Sequence, residues 1–126
     1  MLLDAPCTAT GTIRRHPDLP WQKQPSDLAA LTDLQTRLLD RTAGLTRPGG
    51  LLVYATCSLE PEEGESQIES FLARHANFAL VPLAPAELPG FEAALTARGV
   101  LRILPCHLAA QGGCDGFFAA RLRRNA

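Results

Sequence analysis

Two short apolar runs in this chain end in the same way. Leu2-Leu3 passes into Asp4-Ala5-Pro6-Cys7, and Leu51-Leu52-Val53-Tyr54-Ala55 passes into Thr56-Cys57-Ser58. Between them lies one amphipathic stretch in which Leu28, Leu31, Leu34 or Gln35, Leu38 and Leu45 recur every three to four residues, the repeat of a helix face. That helix reads as starting at Ser26, an N-cap with Asp27 in its first turn, and Pro48-Gly49-Gly50 stops it. An apolar run bounded by Gly-Gly and a polar corner is a buried strand of the parallel type. Two parallel strands joined by one right-handed crossover are usually neighbours, with their carboxyl ends on one side. Both thiols and the Asp4 carboxyl then face a single crevice, the place where open α/β sheets bind ligands.

The rest of the chain extends this unit. Residues 4 to 25 form a long loop rich in Pro, Arg and Thr. Pro61 fits the first turn of a second helix, Glu62, Glu63 and Glu65 suit its positive end, and Ile68, Phe71 and Leu72 face inward. Residues 78 to 83 read as a short strand, and 83 to 99 as a Pro/Gly/Ala-rich excursion with one helical turn. Residues 100 to 105 and 116 to 124 read as two strands joined through Gly112-Gly113-Cys114-Asp115-Gly116, an antiparallel hairpin. At 126 residues there is room for one domain. The expected fold is α/β, the second half of a doubly wound sheet closed by that hairpin.

Bulk properties exclude little. A formal net charge of −1 argues against a broad basic surface, yet Arg14-Arg15-His16 and Arg121, Arg123 and Arg124 form local basic clusters. No apolar run approaches the roughly 18 residues of a membrane span, and no basic-then-apolar leader is read, so a cytoplasmic location is expected. The 4 cysteines lack the spacing of a small secreted disulfide scaffold and include no CxxC pair. Cys106, His107 and Cys114 are the one trio that could ligate a metal; they read instead as residues of the hairpin, and no metal is expected.

Residues 2 to 18, 34 to 65 and 101 to 124, and above all the paired Asp-Ala-Pro-Cys and Thr-Cys-Ser elements, resemble the Sun/Fmu-type RNA cytosine-5 methyltransferases. The resemblance implies a Rossmann-like methyltransferase sheet, S-adenosylmethionine as cofactor and small-subunit ribosomal RNA as substrate. It implies that Cys57 is the nucleophile adding to cytosine C6, that Cys7 assists release of the product, and that Asp4 contacts N3 of the base and borders the cofactor. Arg14, Arg15 and His16 match the family's Arg-Arg-His loop and would touch RNA phosphate. The chemistry needs these groups because cytosine C5 is a poor nucleophile until a thiolate has added at C6. A free thiol with a pKa near ~8.5 is mostly protonated at neutral pH, so the site must depress that of Cys57.

The family's glycine-rich cofactor loop has no counterpart in this sequence. The expectation is therefore a single partial domain, residues 1 to 126, corresponding to the carboxyl-terminal part of the catalytic domain with the amino-terminal cofactor-binding half absent. Such a chain is expected to be inactive alone, to bind S-adenosylmethionine weakly, and to self-associate through the open edge of the strand at Leu2-Leu3. Two other readings compete: a non-catalytic remnant that binds RNA or a partner, and a cysteine hydrolase pairing Cys57 with His16, His75 or His107.

Overall fold

The crossover implied by the two thiol-bearing corners is present in the computed structural model, which describes residues 1–126. Strands β1 (Leu2–Asp4) and β2 (Leu51–Thr56) run parallel, with Leu2 opposite Val53 and Asp4 opposite Ala55. Between them come a single turn of helix, α1 (Leu19–Gln22), and the long α2 (Pro25–Leu45). Helix α2 starts two residues earlier than the Ser26 cap implied. Gln24 is the N-cap, Pro25 supplies a φ already suited to a first turn, and the Asp27 carboxylate accepts the Gln24 backbone N–H at 2.8 Å. The deepest line of α2 is Gln35, Leu39 and Ala43, while the leucines at 31, 34 and 38 are half-buried.

The second helix departs further from its sequence pattern. Pro61–Glu63 is a 3-10 turn, Gly64 leaves helical geometry (φ −123°, ψ −96°), and α3 spans Glu65–Arg74. A side chain at 64 would run into the Arg102 guanidinium and the Phe118 ring, so the backbone approaches its neighbours here more closely than any other residue permits. The 83 to 99 excursion holds two 3-10 turns, Pro85–Glu87 and Glu92–Ala94, in place of one helical turn.

Strands β3 (Phe78–Leu80), β4 (Leu101–Ile103) and β5 (Phe117–Arg124) complete a 5-stranded sheet. Strand β5 lies between β2 and an edge that β3 and β4 share in succession, and it runs antiparallel to all three. The closing hairpin is thus β4–β5, with Leu101 opposite Ala119. Alternate residues of β2 and β5, Leu52, Tyr54, Phe118, Ala120 and Leu122, face Leu39 and Ala43 of α2 and Ile68 and Phe71 of α3. Each large apolar side chain buried here stabilises the fold by roughly 1.5–3 kcal/mol. Both helices cover this one face. On the other, Leu2 is 68% and Leu51 38% exposed, and β1 forms the outer edge of the sheet.

Candidate active site

Because β1 and β2 are parallel neighbours, the corners that follow them meet. The Cys7 and Cys57 sulfurs lie 3.5 Å apart, both half-buried. The mechanism read from the sequence would place them about one nucleobase apart. They are instead in hydrogen-bond contact, so a base has to lie across the pair and not between its members. The bond splits their acidities. A Cys7 S–H donating to the Cys57 sulfur brings Cys57 down to about 7, against burial and the charges of Asp4 and Glu63. The same bond, together with burial, pushes the Cys7 thiol well above its ordinary value. The contact therefore favours ionisation at Cys57 over Cys7. Asp4, the last residue of β1, is exposed, and its charge bears on Cys57.

Three segments hold this arrangement. The Thr8 N–H and hydroxyl both donate to the buried Glu63 carboxylate, at 2.9 and 2.6 Å. The buried Gln35 amide donates to the Pro6 carbonyl at 2.9 Å and to Glu63 at 3.0 Å. Gly11 donates its N–H to the Cys57 carbonyl at 2.9 Å and accepts the Gly116 N–H at 2.7 Å, which binds the hairpin loop to both cysteine corners. Arg102 donates to the Ser58 carbonyl at 2.6 Å, clamps Glu65 with two bonds of 2.9 and 2.6 Å, and lies 4.8 Å over the Phe118 ring. Sequence reasoning missed the part played by Glu63, which it read as one of three charges suited to a helix's positive end, and that of Arg102. Gln35 carried a signal, since a polar residue at a core-facing helical position needs a buried partner. Glu63 carried none.

The basic loop is tied inward. Arg14 donates to the Gly112 carbonyl at 2.9 Å and Arg15 pairs with Asp115 at 2.6 Å, while His16 is exposed. The Cys106, His107 and Cys114 trio serves the hairpin loop. Cys114 donates to the Leu104 and His107 carbonyls, His107 Nδ1 accepts the Leu104 N–H at 3.0 Å, and Cys106 is exposed. No three acidic, His or Cys side chains are grouped to hold a metal. His75 bonds Asp40 at 2.8 Å, and no histidine bonds Cys57, which leaves the hydrolase reading without its base. A cavity of about 570 Å³ lined by Met1, Leu45, Arg47 and Arg123 opens at the opposite end of the strands from the thiols. A smaller one, about 280 Å³, adjoins the Cys7 loop at Thr8, Thr10, Lys23 and Glu60. No helix is long and apolar enough to cross a membrane.

The family model for the 16S rRNA methyltransferase RsmB/F matches residues 1–123. The chain belongs to this family. It is 46% identical over 125 residues to the ribosomal RNA small subunit methyltransferase B of Pectobacterium atrosepticum, and 45% identical over 124 residues to that of Thermus thermophilus. These alignments cover 99% and 98% of the chain but 26% and 29% of the relatives, so it spans little more than a quarter of their length. Among solved structures, NSun6 from Pyrococcus horikoshii, determined with SFG, matches with a TM-score of 0.74 and 29% identity, over 99% of this chain and 29% of that one. The RsmB/F likeness extends across both cysteine corners and the hairpin, and the fold is the Rossmann-like methyltransferase sheet.

Proposed function

We propose that this chain carries the thiol machinery of an S-adenosylmethionine-dependent cytosine-5 methyltransferase acting on small-subunit ribosomal RNA in the cytoplasm. The supporting observation is the 3.5 Å pair of sulfurs with divided acidity beside a strand-end carboxylate. Cys57, present as thiolate near neutral pH, adds to C6 of the target cytosine, forming a C–S bond and moving the ring's electron pair to C5. Asp4 faces N3 and favours the protonated ring, which accepts the thiolate more readily. Bound S-adenosylmethionine supplies the electrophilic methyl group. In the last stage water takes the C5 proton, the C5–H electron pair reforms the C5–C6 double bond, and the C6–S bond breaks to release Cys57 as thiolate, which the Cys7 S–H assists by donating to the departing sulfur. Both sulfurs serve one base, which suits their contact. The base has to leave its stack to reach them.

The residues present fit the acceptor side of this reaction better than the cofactor side. Asp4 is proposed to border S-adenosylmethionine, but the loops after β1 and β2 are not glycine-rich. The chain alone is therefore proposed to bind the cofactor weakly and to be inactive, and a calorimetric titration showing tight one-to-one binding would refute that. Arg14, Arg15 and His16 are proposed to border the RNA, with the two arginines already oriented by Gly112 and Asp115.

The decisive experiment uses a full-length protein containing this segment. Cys57→Ala abolishes methyl transfer. Cys7→Ala leaves attack intact and blocks release, so a covalent protein–RNA adduct accumulates on a denaturing gel. Loss of activity in both variants with no adduct in either contradicts the division of roles.

A further inference from the structure

The loop that carries Cys7 has little apolar anchorage of its own. Pro6 is exposed, Cys7 is half-buried, and Ala9 stands in the left-handed region at φ 59°. Hydrogen bonds hold it instead, and the one side chain that takes two of them from the residue next to Cys7 is Glu63. Glu63 is fully buried, at 0% exposure, and pairs with no Arg, Lys or His. Donors stand in for the missing cation. Oε1 accepts the Thr8 N–H at 2.9 Å and the Gln35 amide at 3.0 Å, and Oε2 accepts the Thr8 hydroxyl at 2.6 Å. A buried carboxylate is tolerable only when its lone pairs are filled in this way, and such bonds are the strong class.

The turn bearing Glu63 is itself fixed, because the Tyr54 hydroxyl donates to the Glu63 carbonyl at 2.8 Å. Tyr54 belongs to β2, the strand that leads into Cys57. The connections close a ring: β2 holds the Glu63 turn, Glu63 holds Thr8, and Thr8 follows Cys7. Thr8 donates to Glu63 twice, once from its main chain and once from its side chain, which fixes the orientation of the loop as well as its distance.

We propose that Glu63 is a positioning residue that sets the Cys7 sulfur against the Cys57 sulfur by clamping Thr8. The proposal rests on the two-thiol reading of the site. Glutamine is the informative substitute. Its amide oxygen can take both bonds now made to Oε1, and its NH2 can donate to the Thr8 hydroxyl, whose proton then turns to Ser58 Oγ, 3.4 Å away. Alanine removes all three bonds.

The test needs no methyl transfer. Phenylarsine oxide bridges two thiols only when they are adjacent, forming two As–S bonds and releasing one water. The 126-residue chain is used with Cys106→Ser, so that Cys7 and Cys57 are the one adjacent pair. The wild-type clamp captures one equivalent by mass spectrometry. Glu63→Ala weakens capture by at least about tenfold, the factor expected from losing one hydrogen bond to a charged group. Alkylation of Cys57 by iodoacetamide, a one-thiol reagent, persists in that variant, and Glu63→Gln restores capture. A folded Glu63→Ala chain that captures like wild type overturns the proposal. If Glu63→Ala does not fold, Thr8→Val decides, since it keeps the N–H bond and removes the hydroxyl. Weaker capture supports the clamp and unchanged capture overturns it. Absence of capture by the chain with Glu63 intact is a different failure, and it overturns the two-thiol geometry itself.

Discussion

At the scale of single residues, the site turns on which sulfur carries the proton. Cys57 is brought down to about 7 by the hydrogen bond from Cys7, with burial opposing it. Because this value lies below the ordinary 9.0, the thiolate is present above pH 7 and is lost as pH falls through it. The rate of Cys57 alkylation by iodoacetamide should follow that fraction, with its midpoint near 7 in the folded chain. Cys7→Ala removes the donor, and the midpoint should climb back toward 9.0. An unchanged midpoint in that variant would show that something other than Cys7 depresses the Cys57 thiol.

Among the elements, the site depends on how the hairpin and α3 grip the Cys57 corner. Arg102 of β4 bridges Ser58 and Glu65 with three bonds. Lysine has neither the planar fork nor the stacking face, so Arg102→Lys should cost about 1–3 kcal/mol in urea unfolding. Burial raises the Glu65 carboxyl, but the Arg102 bonds outweigh it and hold the group below its ordinary value. That contribution is complete above the ordinary glutamate value of 4.5 and fades as pH falls below it, so the gap between wild type and Arg102→Lys should narrow in acid. Gly11 is a second grip. A side chain there would meet the Cys57 carbonyl oxygen at 2.6 Å and the Gly116 carbonyl closer still. Gly11→Ala should therefore lower stability by about 1–3 kcal/mol, the usual range for overpacking, as read from the denaturation midpoint.

For the whole molecule, the open side of the sheet matters most. Strand β1 is an edge with Leu2 68% and Met1 52% exposed, and no charged side chain interrupts it before Asp4. Unpaired apolar edges recruit other strands. Sedimentation of the chain should show concentration-dependent association, and Leu2→Lys should shift it toward monomer. A compact wild-type monomer at every concentration would mean that the edge is closed by another route.

Periodicity and punctuation determined a good deal before any coordinates. The apolar run at residues 51 to 55, the helical repeat before it and the glycine-rich turn near 112 are local patterns, and local patterns specify which elements form and in what order. They were enough for the crossover, the hairpin and the meeting of the Cys7 and Cys57 corners. What they do not encode is the partner across the fold. Glu63 and Thr8 stand 55 positions apart, so the difference between a helix-end charge and a buried clamp arises when the chain closes. The break at Gly64, which turned one expected helix into a 3-10 turn plus α3, lies against the Arg102 and Phe118 side chains of the distant hairpin, neighbours that local pattern does not reveal. The separation of the two sulfurs, and with it the division of one proton between them, was likewise decided by tertiary packing, because hydrogen bonding and desolvation depend on distances that no spacing along the chain contains.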